Sequence, residues 1–286
     1  MKKEFCKMAN SRGGSNRKNS KIVWLVVLVA AIVVALCCIA YFVFLLSGQR
    51  MSEDERNEFT VTDTTAAAEP EPSKIAPKID IDFAKLKKVN DEVAGWLRVD
   101  GTDIDYPVMY PEKSGDSYYL YHTYKKEYSS AGAIYFERQN SPDYSDPVTV
   151  LYGHNWRTNG YFRSLYNFKN ADFFEKNKYM YILTPERKLT YEIYAAYRYD
   201  NRHILNSYDF MQKSVLENYL QTTLNPDTIS KNIRSGVSLN ADSKILTLST
   251  CWEGDKNSRY LVQGVLVSDE PVANEDLTLK STKAAE

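Results

Sequence analysis

The sequence has 286 residues, of which 43% are hydrophobic, 26% charged and 13% aromatic, with 12 Gly and 10 Pro. Collagen-like, coiled-coil and wholly disordered chains are thereby excluded. The formal net charge of −1 excludes the dense basic face that a nucleic-acid partner requires.

Residues 22–46 run for 25 positions without a charge; as a helix they reach roughly 37 Å, enough to cross a bilayer. Before them Lys2, Lys3, Lys7, Arg12, Arg17, Lys18 and Lys21 face only Glu4. The positive-inside rule then makes residues 1–21 a cytoplasmic tail and 22–46 a single-pass anchor in the cell membrane, and places the rest of the chain outside the cell. A cleaved signal peptide is the rival reading, but its apolar region spans about 7 to 15 residues, and this run is longer and ends Phe44-Leu45-Leu46-Ser47. Cys37 and Cys38 fit packing of the span better than lipid attachment, because Leu36 stands where a small residue is expected.

Residues 47–79 carry Glu53, Asp54, Glu55 and Glu58, an Ala-Ala-Ala-Glu-Pro-Glu-Pro stretch and Pro77, the composition of a solvated tether. From residue 80 the pattern changes. Phe83, Leu86, Val89, Val93 and Trp96 recur at steps of three or four and predict an amphipathic helix capped by Asp82, with Gly95 near its end. Short β-branched and aromatic runs follow at 96–99, 104–109, 133–136, 148–152, 179–183, 189–199, 244–250 and 260–267. They predict a mostly antiparallel barrel or sandwich, with a helix over 209–220 inserted between the sixth and seventh strands. The domain is read as residues 80–270, and residues 271–286 as a disordered tail.

Three side chains in this domain carry chemistry. Cys251 closes Lys-Ile-Leu-Thr-Leu-Ser-Thr-Cys; on a strand it shares a face with Ser249 and Thr247, opposite Leu246 and Leu248. Cys6, Cys37 and Cys38 all precede residue 39, so Cys251 has no partner in its own domain. It is either a small buried core residue or a nucleophile. His154, in Tyr152-Gly153-His154-Asn155, follows a buried strand at a Gly turn, where a strand end presents a side chain to a cleft; an imidazole beside a thiol can accept its proton and later protonate a leaving amine. Arg259 opens the strand after Cys251 across a polar loop. Hairpin pairing makes 251 and 259 neighbours, and a fixed cation there favours a thiolate and stabilises an oxyanion. His122 and His203 read as surface or packing residues, and one Cys with scattered His makes a poor zinc site.

Leu248-Ser249-Thr250-Cys251 with Arg259, and Tyr152-Gly153-His154-Asn155 upstream, resemble the signature of the sortases, membrane-anchored cysteine transpeptidases of Gram-positive bacteria. Gly95-Trp96-Leu97, Thr102-Asp103-Ile104-Asp105-Tyr106-Pro107-Val108, the leading helix and the inserted helix resemble class B, over roughly residues 82–268. The resemblance implies an eight-stranded β-barrel with Cys251 as nucleophile, His154 as general acid/base and Arg259 as oxyanion stabiliser. It implies secreted proteins with a C-terminal sorting pentapeptide of the NPQTN type as substrates. They would be cleaved after Thr through a thioester and passed to an amine of a peptidoglycan precursor or, in pilus-building relatives, of a pilin. It implies no organic cofactor, and no cluster of carboxylates calls for calcium. Trp252 directly after the nucleophile, the long tether and its Ala-Ala-Glu-Pro-Glu-Pro segment depart from the pattern. A hydrolytic cysteine peptidase using the same residues, and a non-enzymatic surface-binding module with a structural Cys251, are the alternatives from other classes.

Overall fold

The computed structural model describes residues 15–46, 51, 53–61, 80–156 and 160–271. Ser15–Leu46 is one helix, α1, and forms a unit separate from the chain that starts at Gln49. Its segment Lys21–Phe42, with mean hydropathy 3.3, is long and apolar enough to cross a membrane. The remainder of the expected basic tail, residues 1–14, lies outside the described residues, as do residues 47–50, 52, 62–79 and 272–286.

Part of the expected tether is folded. Glu53–Phe59 is a short helix, α2, and Met51 and Phe59 are buried in the main core, with the Phe59 ring edge-on to Tyr124 at 6.0 Å. Asp82 N–H donates to Phe59 C=O at 2.8 Å, and Thr60 bridges Ile81. The acidic residues hide this docking in the composition, because only two apolar side chains carry it.

The helix expected from Phe83 to Gly95 is also shorter. α3 covers Phe83–Val89, with Asp82 as N-cap accepting from Lys85 N at 2.9 Å. The chain is then extended: β1 is Val93–Val99. Asn90 ends α3 because its side-chain amide is committed to Tyr119 Oη at 2.8 Å and Tyr124 C=O at 2.7 Å. Val93 and Trp96 are buried from a strand, whereas Val89 is 42% exposed; the helical spacing spans a helix–strand junction.

After β1 come β2 (Asp105–Met109), β3 (Ile134–Tyr135), β4 (Val148–Tyr152), β5 (Asn155–Trp156) and β6 (Gly160–Tyr161). A 3₁₀ segment (Arg163–Lys169), α4 (Ala171–Lys176), β7 (Tyr179–Leu183), β8 (Arg187–Asp200), α5 (Ile204–Ser207), α6 (Lys213–Leu224) and β9 (Lys231–Ile233) follow. β10 (Ile245–Trp252) and β11 (Asp255–Pro271) complete the domain. Eight strands close a barrel in the order β1-β2-β3-β4-β10-β11-β8-β7, with β9 added beside β8 and β5–β6 forming a separate small hairpin. The pairs β2–β3 and β4–β10 are parallel and the other pairs antiparallel. The insertion between the sixth and seventh barrel strands, β8 and β10, carries α5, α6 and β9. α6 begins at Lys213 and not at Asp209, whose carboxylate instead takes the Met211 amide and the Gln212 side chain in a turn.

Two apolar clusters result. The larger contains Trp96, Phe136, Leu246, Leu248 and Val262. The smaller contains Val150, Leu216, Tyr219, Leu220 and Ile245. β10 is therefore buried on both faces, its even positions in one cluster and Ile245 in the other.

Candidate active site

β10 runs as ILTLSTCW and stays buried through Thr250; the next side chain, Cys251, is exposed. The odd face that the sequence set against Leu246 and Leu248 does not open to water along its length. Thr247 and Ser249 are covered, Thr247 by Gln263, and only Cys251 at the strand end emerges.

On one side of Cys251, Arg259 of β11 is its direct antiparallel partner, and Arg259 in turn pairs with Tyr199 of β8. The guanidinium Nη1 donates to the Lys256 and Ser258 carbonyls at 3.0 and 3.1 Å, which anchors the side chain to its own loop. On the other side lies parallel β4, with Tyr152 opposite Ser249. Beyond Tyr152 the chain stays stitched to β10: Gly153 N–H donates to Ser249 C=O at 3.3 Å, and Thr250 Oγ1 donates to Gly153 C=O at 2.7 Å. A Cβ on Gly153 would sit 2.8 Å from the ring of fully buried Phe162, so only glycine lets the chain pass here.

These constraints deliver His154. Its Nε2 lies 2.9 Å from Leu120 C=O; a carbonyl only accepts, so Nε2 carries the proton and Nδ1 is the basic nitrogen. Gly132, in the left-handed region at φ +63°, backs onto the Tyr119 and Leu120 carbonyls, where a Cβ would stand 2.6 Å away. Cys251, His154 and Arg259 all line one cleft of about 200 Å³.

The cleft has a polar wall that the sequence reading did not assign. His203, expected at the surface or in packing, faces the same cleft and pairs through Nε2 with Glu137 at 2.7 Å, while its Nδ1 accepts from Asn206 N at 3.3 Å. Tyr135 and Tyr152 complete this wall. Burial first, and then the Glu137 carboxylate, raise both phenols well above their ordinary range, so both stay protonated. Nothing in the linear sequence places Glu137 beside His203. His122, by contrast, is a packing residue, stacked on Tyr118 at 3.9 Å between ring centres. Trp252 packs against Tyr166 and Tyr260. Among the described residues no group of His, Cys, Asp and Glu is arranged to hold a metal ion.

A closed eight-stranded barrel thus holds an exposed cysteine at the end of one strand, a histidine after its parallel neighbour and an arginine opposite, all on one cleft. The sortase-domain family profile matches residues 97–267, and the chain belongs to the sortase family. Its relatives place it in class B. It is 27% identical over 234 residues to the sortase B of Listeria monocytogenes, covering 79% of this chain and 93% of that protein. It is 27% identical over 169 residues to the sortase B of Staphylococcus aureus, covering 59% and 67% respectively. The crystal structure of Clostridium perfringens sortase B superposes with a TM-score of 0.59 at 31% identity, covering 65% of this chain and all 100% of that one.

Proposed function

We propose that this sortase cleaves the C-terminal sorting pentapeptide of secreted proteins after Thr and transfers them to an amino group of a cell-wall precursor. The observation that carries the reading is the convergence of Cys251, His154 and Arg259 on one cleft. Cys251 Sγ attacks the threonine carbonyl carbon as its proton passes to His154 Nδ1. Arg259, held through Nη1, offers its remaining N–H donors to the oxyanion. Collapse of the tetrahedral intermediate breaks the C–N bond, and the leaving amine takes the proton from His154. The acceptor amine then attacks the thioester, gives a proton to His154, and the thiolate departs as the new amide forms. The tyrosine and Glu137–His203 wall of the cleft supports an extended peptide as the ligand, because it lines the same cavity with donors and acceptors. The apolar run of α1 serves as the membrane anchor, with the basic residues up to Lys21 on the cytoplasmic side and the barrel outside the cell.

The test is the full-length protein in detergent, given a panel of sorting pentapeptides with and without an amine acceptor. The expected result is amide product when the amine is present and slow hydrolysis without it, with Cys251→Ala inactive. Hydrolysis unaffected by added amine would make the chain a peptidase, and full activity of Cys251→Ala would remove the thiol from the chemistry.

A further inference from the structure

The β10–β11 ladder breaks at the residue that follows the thiol. Cys251 is opposite Arg259, but Trp252 is opposite Asp255, so the register shifts between them. Such a bulge re-aims the side chain beside it and takes the local backbone groups out of the ladder. The Cys251 carbonyl has its partners elsewhere: Tyr166 Oη donates to it at 2.8 Å and Asn155 Nδ2 at 3.4 Å. The same phenol oxygen accepts from Glu253 N at 2.7 Å. One hydroxyl thus bridges the C=O of residue 251 and the N–H of residue 253, the two groups that the bulge takes out of register.

Tyr166 is well placed to act as a fixed strut. It lies in the 3₁₀ segment Arg163–Lys169, and its ring stacks on buried Tyr260 of β11 at 5.1 Å and an interplanar angle of 16°. Arg163 pairs with Glu253 at 3.2 Å and with Asn155 at 3.1 Å, tying the second carbonyl donor into the same assembly. Lys169 lies over Trp252 at 3.9 Å and Arg198 over the same indole at 5.2 Å. Burial pushes the Tyr166 phenol up to about 12, so it remains a donor at neutral pH. Tyr166 does not line the cleft, and its hydroxyl reaches the chemistry only through the backbone of Cys251.

We propose that Tyr166 is a positioning residue for the nucleophile: its hydroxyl closes the bulge after Cys251 and fixes the direction of Sγ relative to His154 and Arg259. This rests on the reading of Cys251 as the nucleophile. The decisive variant is Tyr166→Phe, which keeps the ring stack and removes only the bridge. It is made in full-length protein carrying Cys6→Ser, Cys37→Ser and Cys38→Ser, so that Cys251 is the single thiol.

Two measurements in detergent are compared with the parent. Iodoacetamide alkylation of Cys251 across pH needs no substrate; its midpoint is expected to move upward and its rate at neutral pH to fall severalfold. Peptide turnover is expected to lose about tenfold in kcat with KM within about twofold, the pattern of a lost orientation and not of lost binding. An unchanged alkylation profile, or a fall in kcat that only follows a fall in Tm, would overturn the proposal. A parent protein that cleaves no sorting peptide would overturn the transpeptidase reading, and the alkylation profile would still decide the role of Tyr166.

Discussion

At Cys251 the thiol sits where β10 runs out of cover, one residue past buried Thr250. The residues around it have distinct tasks that single substitutions separate. Arg259→Lys keeps the positive charge but loses the planar fork anchored on the Lys256 and Ser258 carbonyls; kcat is expected to fall by about 10–100-fold with KM little changed, measured on the preferred peptide. Gly153→Ala is expected to lower turnover by a similar factor without touching substrate, because the added methyl meets the Phe162 ring and displaces His154. Glu92, almost fully buried, takes bonds from Lys113 N at 2.6 Å, Ser114 N at 2.9 Å, Tyr119 Oη at 2.7 Å and the Ser114 hydroxyl, and so holds the loop that carries Leu120, whose carbonyl meets His154. Burial pushes its pKa up, but those hydrogen bonds outweigh it and hold the carboxyl at about 2. A depressed carboxylate pKa stabilises the fold above its unfolded value, near 4.5, and that contribution fades as pH falls toward 2. Glu92→Gln is therefore expected to cost about 2–3 kcal/mol at neutral pH. Denaturant titrations of variant and parent should converge as the pH drops from about 4.5 to 2; a gap independent of pH would show that Glu92 acts through shape and not through charge.

Among the elements, the strands were the most legible and their boundaries with helices the least. The eight strand segments were marked by β-branched and aromatic runs, and each forms a barrel strand. The helical spacing runs on past Val89 because Val93 and Trp96 continue it by coincidence, and Asn90, drawn to Tyr119 and Tyr124, terminates the helix. α2 is illegible for the opposite reason: its composition is that of a tether, and its place depends on packing against Ile81 and Tyr124 farther along the chain. Phe59→Ala is expected to release α2 while the barrel stays folded. The check is limited proteolysis, with new cleavage between residues 51 and 61 and sorting-peptide turnover retained; unchanged protection there would mean that the Thr60–Ile81 bridge alone suffices.

Across the whole molecule, closure of the barrel and docking of the insertion meet at one buried polar residue. Gln263 of β11 donates to Tyr219 Oη of α6 and to Thr247 Oγ1 of β10, each at 2.9 Å, and accepts from Tyr197 Oη at 3.0 Å and Tyr194 Oη at 3.3 Å. Three strands and α6 are joined there with the amide saturated, the condition under which a buried polar group specifies a fold instead of weakening it. Gln263→Leu leaves several buried hydroxyls without their partner and is expected to cost about 2–4 kcal/mol in chemical denaturation. A neutral result would mean that those hydroxyls re-pair among themselves.

By itself the sequence determined the local quantities: an uncharged run long enough for a span, the period-two strands, the cap at Asp82, and the three side chains proposed for acyl transfer as candidates. These follow from neighbours within a few residues, where spacing and side-chain type act directly on the backbone. Tertiary structure alone decided which strand lies parallel to β10, how the chain at Gly153 brings His154 to the cleft, that Glu137 meets His203 across 66 positions, and that Tyr166 holds the carbonyl of Cys251. Each of those pairings depends on closing the barrel, and contacts between segments so far apart leave no periodic mark on the residues that make them.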